Sequence, residues 1–168
     1  MLLPDQLIIR PACDEDVPFI VAFSAAMAME TEARELDPAR LRNGTLALLA
    51  SPVHGFFMVA ELSRPDRRLI GQLMITFEWS DWRNAAFWWI QSVYVDPAWR
   101  RQGVFRQMHD TVIRNARANP AVCGVRLYVE RTNRVAKTVY DRVGLSTSGY
   151  EVYESDFTLS KTSNPHRR

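Results

Sequence analysis

Three arginines and a glycine fall together in the segment 96–106, where a buried-strand pattern gives way to a helical pattern. A helix N-terminus presents unpaired N–H groups and a partial positive charge, and a glycine lets a ligand approach the backbone closely. Gly103 stands at this point, and Arg100, Arg101 and Arg106 surround it with charge. The turn therefore predicts a phosphate-binding site, with a solvated basic turn as the alternative. It is neither a Walker loop nor a G-x-G-x-x-G segment, so it gives no support to nucleoside triphosphate or dinucleotide binding.

The histidines and cysteines show no comparable pattern that would indicate metal binding or thiol chemistry. His54, His109 and His166 lack the spacing of metal ligands, so no metal site is expected. Cys13 and Cys123 have no basic partner nearby in sequence, which favours structural burial over a nucleophilic role.

The elements that must position the turn alternate between strand and helix patterns. Their order, β-α-α-β-β-β-α-β-α-β, contains hairpins as well as βαβ units, which favours an α/β (α+β) fold with a mixed sheet and helices on both faces. The expected strands are Leu7–Arg10, Phe56–Glu61, Leu69–Glu78, Phe87–Val95, Val125–Val129 and Tyr150–Leu159. Helices are expected after a cap at Asp14 or Asp16, from Asp37, from Gly103 and over Val135–Val143, with loops at Arg64–Arg67 and Trp79–Ala85.

The length, charge and composition of the chain limit the classes of function that it can have. With 168 residues, the chain predicts one domain over residues 1–159, followed by a tail at 160–168. A net charge of +2 disfavours a nucleic-acid partner, and no apolar run has the length of a membrane span. Two cysteines and a start without signal-peptide features lead us to expect a cytoplasmic protein.

Two motifs resemble the GNAT superfamily of acyl-CoA-dependent N-acetyltransferases. The family pattern [RQ]-x-x-G-x-[GA] corresponds to Arg100–Phe105, where Phe105 replaces the usual small residue. The preceding V-x-V-x-P corresponds to Val93–Pro97. The second family segment, N-x-x-A-x-x-x-Y-x-x-x-G-[FL], matches at Asn133, Ala136, Tyr140, Gly144 and Leu145.

The resemblance implies the GNAT fold and a site for acetyl-CoA as co-substrate. That fold has a mixed, mostly antiparallel sheet with a splay between the fourth and fifth strands. Backbone N–H groups of the turn would hold the pyrophosphate, and the pantetheine arm would lie along the end of the fourth strand. Asn133 would hydrogen-bond the cofactor, a role compatible with capping the last helix. The cofactor-binding residues implied are Val93, Tyr94, Val95, Arg100, Arg101, Gln102, Gly103, Val104, Phe105, Arg106, Asn133, Ala136 and Tyr140.

The resemblance also implies proton-transfer roles. Tyr140 matches the family tyrosine that faces the cofactor sulfur, where a phenol can protonate the departing thiolate. Its spacing alone favours core packing instead. The general base is open among Glu30, Glu32 and Glu78, with Glu35 and Asp81 as further candidates; each also fits a solvated surface carboxylate.

Other polar and aromatic residues fit places beside the acceptor. Gln91, which is polar within an apolar strand, is a candidate for positioning the acceptor or a water molecule, or for pairing with neighbouring backbone. The aromatic loop at Trp79–Arg83 is a candidate wall of the acceptor cleft or of a homodimer interface.

These observations predict an N-acetyltransferase that moves acetyl to a primary amine by direct attack in a ternary complex. The acceptor would be a small molecule, a lysine side chain or an N-terminal amine, and the carboxylates favour a cationic one. A non-catalytic acyl-CoA-sensing module is the alternative. The retained Tyr140 favours the enzyme.

Overall fold

The computed structural model describes residues 7–63 and 68–159. Its strands form one five-stranded sheet in which the spatial order follows the chain, β1-β2-β3-β4-β5. β1 to β4 pair antiparallel with their neighbours, and β5 runs parallel to β4. The bounds are β1 Leu7–Pro11, β2 Gly55–Leu62, β3 Arg68–Ser80, β4 Ala85–Val95 and β5 Val122–Leu127. The mixed, mostly antiparallel α/β sheet expected from the sequence is confirmed.

Four helices accompany the sheet: α1 Val17–Glu32, α2 Pro38–Leu49, α3 Val104–Ala118 and α4 Arg134–Arg142. Local sequence explains where they begin. Proline at the first helical position starts α2, and the carboxylate of Asp37 accepts the Arg40 N–H at 2.6 Å. Gly144 follows α4 with φ 85°, the left-handed conformation that glycine adopts at a helix C-terminus.

Helices cover the sheet on both faces. α3 places its apolar stripe of Val104, Met108 and Val112 in one core cluster with sheet residues that include Leu73 and Ile90. On the opposite face, Ile20 of α1 belongs to a separate cluster with residues of β2 and β3. The antiparallel arm of the sheet is therefore buried from both sides, and it forms a rigid support for its neighbours.

Two irregularities of β4 shape the middle of the sheet. Tyr94 pairs with Gln72 but Gln91 pairs with Met74, so β4 carries an extra residue, and Ser92 there has φ 50°. The ladder between β4 and β5 ends at the pair Ile90 and Leu127, although β4 continues to Val95. Within the described strands, β4 therefore has no β5 partner beyond Ile90, which is the expected splay; we call this opening the β4–β5 gap.

Some sequence expectations need correction. The loop expected at Trp79–Ala85 is shorter, because β3 and β4 extend to Ser80 and Ala85. β5 begins at Val122 and ends before Val129. The strand expected at Tyr150–Leu159 is wrong, because these residues have no regular secondary structure and most of their apolar side chains are exposed. Alternation alone does not make a strand without a ladder partner. The expected turn at Arg64–Arg67 and the tail at 160–168 lie outside the described residues.

The chain folds into two compact units, which separate between Asn133 and Arg134. The first unit contains the sheet and α1 to α3. The second contains α4 and the segment that follows it. In the part of the chain that the structure describes, no helix combines the length and apolar character needed to cross a membrane.

Candidate functional site

The turn before α3 has open space at its centre. Gly103 has φ 88°, and a Cβ added there would meet no atom within 4 Å. The first hydrogen bond of α3 runs from the Gln107 N–H to the Gly103 carbonyl at 3.0 Å. The backbone N–H groups of the first helical turn thus precede the intrahelical ladder, as an anion at a helix N-terminus requires.

The three arginines of this turn differ in their contacts. Arg100 donates from Nε to the Val95 carbonyl at 2.9 Å and from Nη2 to Glu30 at 2.7 Å. Its guanidinium also lies over the Tyr94 ring, 5.3 Å from the centroid. Arg100 is therefore committed to linking α1, β4 and the turn. Arg101 and Arg106 are exposed and supply the positive charge at the turn itself.

The backbone of β4 is oriented for a partner in the β4–β5 gap. The Asp96 N–H donates to the Ile70 carbonyl of β3 at 2.9 Å. Because backbone groups alternate in direction along a strand, those of Val93 and Val95 point away from β3, toward the gap. The Val95 carbonyl already accepts the Arg100 hydrogen bond. The Val95 N–H and both backbone groups of Val93 are the ones directed at the gap.

Glu30 and Glu32 lie at the end of α1 in different surroundings. Glu30 accepts hydrogen bonds from Arg100 and, at 2.9 Å, from the Tyr94 hydroxyl. The Arg100 hydrogen bond, above all, lowers the pKa of Glu30. A carboxylate held in this way is a weaker proton acceptor. Glu32 is largely exposed, with Arg34 Nε 3.6 Å away.

Glu78 belongs to a network on the face of the sheet that carries α1. One of its oxygens accepts from Arg126 Nη1 at 2.9 Å, and the other accepts from the Trp89 indole N–H. Trp89 stands two residues before Gln91, the first β4 residue beyond the last β5 pair. Glu78 itself pairs with Phe87, four residues before Gln91, on the same face of the sheet.

Gln91 has its side chain fixed at the edge of the same gap. Its amide Nε2 donates to the Thr76 hydroxyl at 2.5 Å. This bond directs the donor end of the amide toward β3. The acceptor oxygen Oε1 is the other end of the same amide.

The second family segment, from Asn133 to Leu145, spans the last helix. Ala136 and Tyr140 occupy α4, and both are half-buried. Burial raises the pKa of the Tyr140 phenol, which keeps it protonated at neutral pH. Asn133 directly precedes α4, and its backbone N–H donates to the Glu130 carbonyl at 3.1 Å.

Other residues considered from the sequence lie apart from this arrangement. Glu35 and Asp81 are exposed, in the α1–α2 connection and in the β3–β4 turn. Cys13 is exposed rather than buried, and hydrogen bonding to Glu15 raises the pKa of its thiol, which disfavours a nucleophilic role. No group of His, Cys, Asp and Glu within residues 7–63 and 68–159 has the geometry to hold a metal ion.

Sequence reasoning missed Arg126 and Tyr128. Both lie on the Trp89 face of the sheet, where the Tyr128 ring stacks on the indole with centroids 4.2 Å apart. Period-two alternation from Val125 to Val129 already separated them from the apolar positions. This alternation indicated that Arg126 and Tyr128 share one face of the strand, but it did not indicate which neighbouring strand they would contact.

Comparisons with known proteins agree with this geometry. A model of the acetyltransferase (GNAT) family matches residues 22–145. A "possible acetyltransferase" from Clostridium difficile 630 is 36% identical, with a TM-score of 0.83 over 92% of this chain and 99% of that chain. A search of curated proteins gave no match.

Two more distant structures share the fold and contain cofactor-related ligands. A "predicted acetyltransferase with acetyl-CoA" from Clostridium acetobutylicum has 17% identity and a TM-score of 0.70, over 89% of this chain and 96% of that chain. AAC(6')-Iy, in complex with a bisubstrate CoA analogue, has 15% identity and a TM-score of 0.66, over 89% and 97% of the two chains. The family model covers most of the sequence and includes both motifs, and the 36% identical structure spans almost the whole chain. The chain therefore belongs to the GNAT family of acetyltransferases.

Proposed function

We propose that this protein binds acetyl-CoA along the turn at Gly103 and the β4–β5 gap, and transfers the acetyl group to a primary amine. The observation that carries the proposal is the end of the β4–β5 ladder at Ile90 and Leu127, beside an open helix N-terminus. The pyrophosphate would accept hydrogen bonds from the N–H groups of the first turn of α3. The pantetheine amides would pair with the backbone of Val93 and the N–H of Val95, as an added strand does.

The reaction is a direct transfer within a ternary complex. The amine nitrogen attacks the thioester carbonyl, a C–N bond forms, the C–S bond breaks, and CoA leaves as a thiolate. Tyr140 is the proposed acid that protonates this thiolate. The raised pKa of its phenol supports that role, because the proton is present at neutral pH. Asn133 and Ala136 remain proposed cofactor contacts on the strength of the motif alone.

The amine must lose a proton before or during attack. We propose that Gln91 Oε1 orients the amine and that Glu78 accepts the proton through water. Glu78 lies on the same face of the sheet as Gln91 and accepts hydrogen bonds from Arg126 and Trp89, whereas Arg100 lowers the pKa of Glu30, and Glu32 is exposed at the helix end. If Glu78 is the base, Glu78→Gln loses rate mainly below the pKa of the amine, and the loss shrinks as pH rises. Glu30→Gln and Glu32→Gln serve as matched controls whose profiles follow the wild type.

Steady-state assays with acetyl-CoA and a panel of primary amines, following thiol release, test the function. We expect Tyr140→Phe to lower kcat by about 10²–10⁴-fold with little change in acetyl-CoA affinity. Turnover within about twofold of wild type in this variant, with chemistry shown to be rate-limiting in single-turnover measurements, would remove Tyr140 as the acid. Acetyl-CoA binding without turnover on any amine would instead favour an acyl-CoA-sensing module.

A further inference from the structure

A second group of residues beside the β4–β5 gap has a fixed geometry and no place in the reaction described above. It consists of Phe87 and Trp89 on β4, and of Arg126 and Tyr128 at the end of β5, and we call it the platform. The pairs Phe87–Gly124 and Trp89–Arg126 set these side chains beside one another on one face of the sheet. That face is opposite to the one on which Trp88 and Ile90 meet the α3 core.

Within the platform, the Arg126 guanidinium lies over the aromatic rings of β4. Its guanidinium carbon lies 3.6 Å from the centroid of the Phe87 ring and 5.8 Å from that of Trp89. Gly124 makes this possible, because a Cβ at that position would come within 2.7 Å of the Phe87 ring. The Arg126 side chain is 29% exposed, so part of it is accessible to solvent.

The hydrogen-bonding capacity of Arg126 exceeds what the protein uses. Its one hydrogen bond within the described residues runs from Nη1 to Glu78, and a guanidinium has five N–H donors. Glu78, in turn, already accepts bonds at both carboxylate oxygens, from Arg126 and from Trp89. A ligand at the platform therefore meets donors of a cation rather than an unengaged carboxylate.

A second guanidinium, that of Arg83, adds positive charge beside the platform. The Arg83 guanidinium carbon lies 5.0 Å from the Phe87 centroid, so the guanidinium groups of Arg83 and Arg126 both lie over this ring. Phe87 pairs with Glu78 across the two strands. Asp81, in the same β3–β4 turn, accepts the backbone N–H of Trp82 at 2.9 Å. Glu78, one of the carboxylates on which the expectation of a cationic acceptor was based, is paired with Arg126.

We infer that the acceptor amine carries an anionic group, a carboxylate, that Arg126 binds while an apolar or aromatic part lies on Trp89 and Tyr128. This inference rests on the proposed function and specifies its substrate class. A strand rises about 3.3 Å per residue, and the platform lies two to four residues before Gln91. The amine and the carboxylate of the acceptor are therefore about 7–13 Å apart.

Matched pairs of acceptors isolate the charge. Para-aminomethylbenzoate is compared with para-aminomethylbenzamide, and ε-aminocaproate with its amide, since each pair differs in the anionic group and keeps the amine. A hydrogen bond to a charged partner contributes about 10–100-fold, so we expect the carboxylates to have the higher kcat/KM by that factor. We expect the ratio to fall to about one in Arg126→Gln and to survive in part in Arg126→Lys. Arg114→Gln, on the exposed side of α3, is the control that leaves it unchanged.

The outcomes separate this inference from the function on which it rests. Equal kcat/KM for acid and amide in the wild type, or an undiminished ratio in Arg126→Gln, contradicts the inference while amine acetylation stands. Absence of acetylation of every amine by an enzyme that binds acetyl-CoA contradicts both. Thermal melting checks that Arg126→Gln is folded. If it is not, the wild-type ratio and the Arg126→Lys variant still decide.

Discussion

Gly103→Glu separates the stability of the turn from its affinity for acetyl-CoA. Gly103 has φ 88°, and its added Cβ meets nothing within 4 Å, so the cost to folding is that of a left-handed non-glycine residue, about 1–2 kcal/mol. For a chain of this size that lowers Tm by about 2–8 °C. A carboxylate placed about 5 Å from one pyrophosphate charge repels it by about 0.8 kcal/mol in water and about 3.3 kcal/mol at an effective dielectric constant of 20. The Kd for acetyl-CoA should therefore rise by about 4-fold to about 250-fold.

Gly103→Gln is the matched control, because it has the same size and backbone strain but no charge. Without ligand, the Glu variant should be the more stable of the two by about 0.3–1 kcal/mol, since a negative charge is favourable at a helix N-terminus. In calorimetric titration the Glu variant should bind acetyl-CoA more weakly than the Gln variant. Equal Kd values for the two variants would refute the placement of the pyrophosphate at this turn.

Three further substitutions test other parts of the molecule. His109 is buried with no hydrogen-bond partner for either ring nitrogen among the described residues, and burial lowers its pKa, an effect that Asp110, 3.6 Å away, only partly opposes. The free energy of unfolding should therefore fall as pH drops below about 6.5, where the unfolded histidine gains its proton. Denaturation at about pH 8 and about pH 5 should show a smaller fall in His109→Leu, because this variant has no histidine at position 109 to titrate. Gly124→Ala should cost about 1–3 kcal/mol of stability by displacing the Phe87 ring, and an unchanged Tm would contradict this crowding. Glu30→Gln should cost less than about 1 kcal/mol in urea denaturation, because the Glu30 and Arg100 side chains are 41% and 43% exposed; a loss of several kcal/mol would show that the pair is more deeply desolvated.

The sequence was sufficient to predict the elements that have strong local signals. Asp37-Pro38 marked the start of α2, the stripe from Val104 to Ala116 marked α3, and the unbroken apolar run marked β4 as a central strand. These signals are local, because caps, helical stripes and buried runs are set by residues that are close in the chain. The resemblance to the family then implied the mostly antiparallel sheet and the splay between the fourth and fifth strands.

The details of the candidate site depend on contacts between distant parts of the chain. Arg100 lies within the motif, yet its guanidinium is bound to the carboxylate of Glu30, seventy positions away, and to the Val95 carbonyl. The pairing of Glu78 with Arg126 depends on the register of three strands, which no local pattern fixes. The strand expected at Tyr150–Leu159 is also wrong, because these residues have no ladder partner in the described part of the chain.

One rapid-mixing experiment tests direct transfer of the acetyl group to an amine. The enzyme is mixed with acetyl-CoA alone and with acetyl-CoA plus each amine of the panel, para-aminomethylbenzoate included, and thiol release, intact-protein mass and N-acetylated product are followed together. Direct transfer predicts no thiol release and no acetylated protein without an amine, and equal amounts of free CoA and N-acetylated amine when an acceptor is present. An acetyl group on the protein before the amine is added would contradict direct transfer, and bound acetyl-CoA that stays intact with every amine would contradict transfer to an amine.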